Sequence, residues 1–132
     1  MEPQSNTTEH PQRKVLIVED EHFISELYVR ALTRAGYDVT VEVDGARGMK
    51  LAQTNQFDII LLDLMVPTIT GIEVLRQLRA PGAAHLKSKI VITTNLEQRE
   101  EVRTDIEKQA DAYLVKAEIT PRELVDFLGT IK

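Results

Sequence analysis

The sequence predicts an α/β domain in which a parallel sheet is covered by helices on both faces. Two observations carry this. Five short β-type runs alternate with five helical stretches, without an internal repeat or a long linker, and such alternation implies right-handed βαβ crossovers. Three segments, Val15–Val18, Ile59–Leu62 and Ile90–Ile92, are continuously apolar, as strands buried on both faces must be.

The elements follow in order. The first run, Val15–Val18, precedes a helix whose residues Ile24, Leu27, Tyr28, Ala31 and Ala35 share one face, with Gly36 placed to end it. The second run, Val39–Val43, alternates apolar with polar, the pattern of a half-exposed edge strand. A short, weakly patterned helix over Gly45 to Gln53 leads to the third run, Ile59–Leu62. Thr70-Gly71-Ile72-Glu73 reads as a capping box opening a helix that carries Leu75 and Leu78. After the fourth run, Lys89–Thr93, a helix over Glu97 to Lys108 offers only Val102 and Ile106 as an apolar stripe, so it should be the most loosely held. The fifth run, Ala112–Val115, is followed by a second capping box, Thr120-Pro121-Arg122-Glu123, and by Leu124, Phe127, Leu128 and Ile131 at helical spacing. With the second run on an edge, the expected sheet is the flavodoxin-like, doubly wound, five-stranded parallel sheet in order 2-1-3-4-5 with five helices. Residues 1–12 hold no aliphatic residue beyond the first Met and are expected to be a disordered arm, leaving residues 13–132 as the domain.

Composition narrows the function. The 132 residues carry 16 Lys+Arg against 21 Asp+Glu, a net charge of −5, which argues against nucleic acid as this chain's own partner. Cysteine is absent, and with it disulfides, thiolate nucleophiles and Cys-ligated zinc. No apolar run is long enough to span a membrane, and the N-terminus lacks a signal-peptide core. A soluble, intracellular, acidic domain is expected.

In a sheet of this order, ligands bind beyond the carboxyl ends of the strands where the order reverses, between strands one and three. Glu19, Asp20 and Glu21 follow the first strand, Asp63 the third, Thr93-Thr94 end the fourth, and Lys116 ends the fifth. Taken singly, each has an ordinary explanation: acidic residues favour a helix N-terminus, Asp caps turns, Thr suits strands, and a lone Lys is solvated. Jointly they place carboxylates, a hydroxyl and an ammonium on one rim. Carboxylates held close must protonate, repel or bind a cation. An oxygen-only donor set selects a hard ion, and Mg²⁺ fits best because it keeps waters to share with a phosphate. A carboxylate beside such an ion and an ammonium suits an aspartyl-phosphate intermediate.

Val18-Glu19-Asp20-Glu21, Leu62-Asp63-Leu64-Met65-Val66-Pro67 with Gly71, Ile92-Thr93-Thr94 and Ala112-Tyr113-Leu114-Val115-Lys116 together resemble the receiver domain of two-component response regulators. The resemblance runs from Lys14 to Ile131. It implies that Asp63 accepts a phosphoryl group from the phosphohistidine of a sensor histidine kinase or histidine phosphotransfer protein. It implies Mg²⁺ held by Glu19, Asp20, Asp63 and the backbone carbonyl of Met65, with Lys116 on the phosphoryl group. Thr94 is then the switch hydroxyl, and Tyr113 the aromatic that turns inward with it. The face made by the fourth helix, fifth strand and fifth helix would change and bind a downstream effector or a second copy. Such a protein is cytoplasmic, touches neither membrane nor nucleic acid through this chain, and is not a turnover enzyme.

The sequence departs from the family pattern at three places. Ala117 replaces a Pro normally in a cis peptide with Lys116, and a cis bond to Ala would cost about 3 kcal/mol. Asn95 replaces a small residue after the switch Thr and is placed to cap the next helix. Gln109 stands where a Gly commonly ends the fourth helix. Two other functions compete. A pseudo-receiver serving only interaction or dimerisation would not need intact Asp20, Asp63, Thr94 and Lys116. A phosphatase would need a second carboxylate beyond Asp63 to protonate the leaving group, where the sequence has Met65. The sequence stops just after the fifth helix, so a single-domain regulator and a domain boundary are both open readings.

Overall fold

The structure, a computed structural model, describes residues 12–95 and 98–131. Its elements are β1 (Lys14–Val18), α1 (His22–Arg34), β2 (Asp38–Glu42), α2 (Gly45–Gln53), β3 (Ile59–Asp63), α3 (Gly71–Leu78), β4 (Lys89–Thr94), α4 (Glu100–Gln109), β5 (Ala112–Val115) and α5 (Pro121–Gly129), with a 3-10 turn at Lys116–Glu118. All the strand pairings are parallel and the order is β2-β1-β3-β4-β5, as the sequence predicts. The arm expected over residues 1–12 lies outside the described residues except for Gln12, as does the expected helix start at Glu97.

Successive strand side chains point to opposite faces, which divides the core in two. Leu16, Val18, Ile60, Leu62, Ile90 and Ile92 meet Ala52 of α2, Val74, Leu75 and Leu78 of α3, and Ile106 of α4. Val15, Ile17, Ile59, Leu61 and Val91 meet Tyr28 and Leu32 of α1 and Leu124 and Leu128 of α5. β3 is buried along its whole length, and each fully buried Leu or Ile contributes about 1.5–3 kcal/mol of transfer free energy. β2 is the half-exposed edge that its alternation predicts. Ile106 is the only buried residue of α4, in keeping with its sparse stripe.

Three local expectations are corrected, and two departures from the family pattern are seen to be accommodated. The buried residues of α1 are Ser25, Tyr28 and Leu32, while Leu27 and Ala35 face solvent; a stripe through Ile24, Tyr28 and Leu32 satisfies the helical period equally well. The box at Thr70 is half made: Thr70 accepts the Glu73 N–H at 3.3 Å, but the Glu73 carboxylate accepts from Gln77. The box at Thr120 is complete. Arg99, and not Asn95, occupies the N-cap of α4. Gln109 needs no left-handed turn, because the chain leaves α4 through Ala110 in extended conformation and the Gln109 carbonyl accepts from Arg79 Nε at 3.1 Å. The Lys116–Ala117 peptide is trans, and Lys116 opens the 3-10 turn.

Gly36 does have the role the sequence assigns. Its φ is +100°, and its N–H and that of Tyr37 bond back to the carbonyls of Thr33 and Leu32, closing α1 in a Schellman motif. No atom lies within 4 Å of where a Cβ would stand, so only the backbone conformation resists a side chain. Gly36→Ala is expected to lower stability by about 1 kcal/mol and Gly36→Asn by less, as read from the urea denaturation midpoint.

Candidate functional site

Strand register assembles the site. Val18 of β1 is level with Leu62 of β3, so Glu19 emerges beside Asp63. Asp63 is level with Thr93 of β4, and Thr94 with Val115 of β5, which Lys116 follows. The Glu19 N–H bonds to the Glu42 carbonyl at 3.0 Å, extending the ladder one step past β1 and fixing the backbone there.

The Lys116 ammonium ties the rim together. Its Nζ lies 2.6 Å from Glu19 Oε1, 3.2 Å from Asp63 Oδ2 and 3.4 Å from Glu21 Oε1. Glu19 and Asp63 are each 1% exposed and Lys116 8%, so charges of both signs are held away from water. Lys116 thus reaches across Asp63 to Glu19, farther than a place beyond Asp63 requires. Burial pushes the Glu19 carboxyl up from 4.5 to about 7; the Lys116 ammonium works against this rise and the Asp63 charge adds to it. For Lys116, burial disfavours the ammonium, but the facing Glu19 and Asp63 outweigh it and hold its pKa above the ordinary 10.5.

Oxygen atoms of Glu19, Asp20 and Asp63 lie within 4.8 Å of one another, with Asp20 on the exposed side. Glu19 Oε1 is buried against the Lys116 ammonium, 2.6 Å away. Three carboxylates converging as an all-oxygen cluster are a donor set suited to a hard divalent cation. The other Asp63 oxygen, Oδ1, accepts the Met65 N–H at 3.2 Å, which orients the carboxylate, while the Met65 side chain stands in solvent.

Thr94 is buried at the end of β4. Its hydroxyl accepts from Gln98 Nε2 at 3.4 Å, and the Gln98 backbone N–H donates to the Tyr113 hydroxyl at 3.0 Å. Tyr113 is buried, where an edge strand suggests a half-exposed ring: it packs into the core, and the Arg103 guanidinium lies 4.6 Å from the ring centroid. Gln98 therefore joins Thr94 and Tyr113, to which the family resemblance gives a switch role. Lying in a polar stretch, it carries no periodic signal of its own.

The loop from β3 to α3 is clamped at two points. A Cβ on Gly71 would stand 2.1 Å from the Asp63 carbonyl oxygen, so only glycine lets α3 start this close to the end of β3. Thr68 has φ +77°, unusual for a β-branched residue. Its hydroxyl donates to Asp44 Oδ1, while Asp44 Oδ2 accepts the Arg47 N–H at 2.8 Å and so caps α2. Those bonds, that from Thr68 first, hold the Asp44 carboxyl below its usual range. The Gly45 N–H adds a bond to the Pro67 carbonyl at 3.0 Å. Sequence reasoning missed this clasp, since Asp before a helix and Thr after Pro both read as ordinary turn chemistry.

The raised Glu19 pKa has a definite sign. Between pH 4.5 and about 7 the folded chain binds a proton that the unfolded chain has lost, so stability falls as pH rises through that window. Urea denaturation in EDTA should show this decline in the wild type, amounting to at most about 3 kcal/mol. In Glu19→Gln it should be absent across the same window.

Residues 15–128 match the family described as response regulator receiver domain. The response regulator ArlR of Staphylococcus saprophyticus is 36% identical over 119 residues, covering 90% of this chain and 50% of the relative. The alkaline phosphatase synthesis transcriptional regulatory protein PhoP of Bacillus subtilis is 38% identical over 112 residues, covering 85% and 45%. The chain thus spans about half the length of these relatives. Among solved structures, the BeF3-activated N-terminal receiver domain of Klebsiella pneumoniae RstA matches with a TM-score of 0.76 at 29% identity, covering 89% of this chain and 96% of that one. A CheY-like receiver domain protein from Methanospirillum hungatei matches with a TM-score of 0.75 at 25% identity, covering 89% and 91%. With the acidic rim, the buried Lys116 and the 2-1-3-4-5 sheet, these matches place the chain in the response regulator receiver domain family.

Proposed function

We propose that this chain is a phosphoacceptor switch in which Asp63 receives a phosphoryl group from the phosphohistidine of a sensor histidine kinase or histidine phosphotransfer protein. The observation that carries the reading is the carboxylate of Asp63 held beside a buried ammonium and within a cluster of two further carboxylates. An Asp63 oxygen attacks phosphorus, the P–N bond to the donor imidazole breaks, and the electron pair leaves with the imidazole, which takes up a proton. The Met65 N–H holds the second oxygen of Asp63 aside. Lys116, already 3.2 Å from Asp63, offsets charge on the transferring phosphoryl oxygens.

The residues fit a Mg²⁺ ion held by Glu19, Asp20, Asp63 and the Met65 carbonyl, which when bound supplies charge neutralisation at the phosphoryl oxygens. Thr94 supplies a hydroxyl to one of those oxygens after its bond from Gln98 is exchanged. Because Gln98 also bonds Tyr113, this exchange reaches the α4-β5-α5 face, where a downstream effector or a second copy docks. The chain then acts in the cytoplasm as a recipient of phosphate and not as a turnover enzyme; no described helix is long and apolar enough to cross a membrane.

Treatment with acetyl phosphate and Mg²⁺ followed by intact mass spectrometry is expected to add one phosphoryl group to the wild type and none to Asp63→Asn. Asp20→Ala should remove the Mg²⁺ dependence. An adduct on Asp63→Asn overturns the acceptor assignment. A wild type that takes up neither a phosphoryl group nor beryllofluoride overturns the phosphoacceptor reading in favour of a pure interaction module.

A further inference from the structure

The opposite pole of the sheet carries a second charged concavity that plays no part in phosphoryl chemistry. It has a volume of about 480 Å³ and lies where β4 begins and α4 ends, lined among others by Arg79, His85, Lys87, Lys89, Lys108 and Asp111. Four Lys and Arg side chains thus surround one hollow in a chain whose net charge is −5. The single carboxylate in the lining is already committed: Asp111 Oδ2 takes the Arg79 guanidinium at 3.1 Å and the Ile90 N–H at 2.8 Å.

Those same bonds make Arg79 a fixed donor. Its Nε is held by the Gln109 carbonyl and one terminal nitrogen by Asp111, so its remaining N–H groups are oriented without further loss of side-chain entropy. Lys87 is shared with Asp58 at 3.7 Å. Lys89 and Lys108 have no ion-pair partner among the described residues. They approach from different elements, Lys89 from the first residue of β4 and Lys108 from the last turn of α4. The hollow therefore presents one immobilised guanidinium flanked by two uncompensated ammonium groups.

We propose that this concavity binds a compact polyanion carrying two or more phosphate groups. Its volume falls in the range of small-molecule sites, although its lining is charged where most such sites are apolar, which selects a ligand by charge. Ammonium groups act as point charges for phosphate oxygens, and a guanidinium as a directed fork. A nucleic-acid strand would need a longer basic track than one hollow in an acidic chain provides.

Isothermal titration of the full chain in low salt with EDTA tests this, using sodium tripolyphosphate and ATP as separate probes. EDTA removes divalent ions from the Asp63 rim, so binding there does not enter the signal. Saturable one-to-one binding is expected, weakened about tenfold or more, or 1.4 kcal/mol, in Lys89→Gln/Lys108→Gln. Lys50→Gln, which removes one exposed charge on α2, should leave it unchanged. ATP binding tighter than tripolyphosphate supports a nucleotide ligand, and equal binding supports recognition of the phosphate chain alone. Both variants should still accept a phosphoryl group at Asp63, which reports that they fold. No saturable binding of either probe, or equal weakening by Lys50→Gln, overturns the proposal.

Discussion

The contact between the Lys116 ammonium and the carboxylates of Glu19 and Asp63 is the constraint around which this molecule is arranged. These groups sit at the ends of three different strands, and none is sheltered by local structure of its own. Burying two carboxylates costs more than burying one ammonium returns, and the raised Glu19 pKa expresses that imbalance. Replacing a buried ion cluster by apolar residues of similar volume is often neutral or stabilising. The sheet supplies the rigidity. Its central strand is covered by α1 and α5 on one face and by α2, α3 and α4 on the other, so the rim cannot relax by letting strands slide. A one-residue slip in β3 would exchange the two halves of the core.

Much of this was legible in the sequence because the information is carried by order and register. Continuous apolar runs mark the buried strands, the alternating run marks the edge, and the residue after each strand then falls on the rim without any further assumption. Glu19, Asp63 and Lys116 are placed by that logic alone, while the choice of Thr94 over Thr93 comes from the family resemblance; the structure brings all four to the expected end of the sheet. The α1 stripe was less determinate. A helix rich in apolar residues offers two stripes of equal period, and the choice between Leu27 and Leu32 depends on which side the sheet lies.

What the sequence could not disclose are contacts between residues distant in the chain whose local signals are already satisfied. Asp44 and Thr68 are 24 residues apart, and each makes sense as turn chemistry without the other. Gln98 has no apolar neighbour to give it a period, yet it bonds both Thr94 and Tyr113. Gly71 is a third case: its place in a capping box explains a helix start, but the reason it must be glycine is the Asp63 carbonyl 2.1 Å from a would-be Cβ.

The full burial of β3 has a dynamic consequence. The strand that presents Asp63 is also the most firmly anchored, with every residue buried. By contrast α4 is held by Ile106 as its one buried residue, so local opening is expected to begin in α4 before it reaches β3.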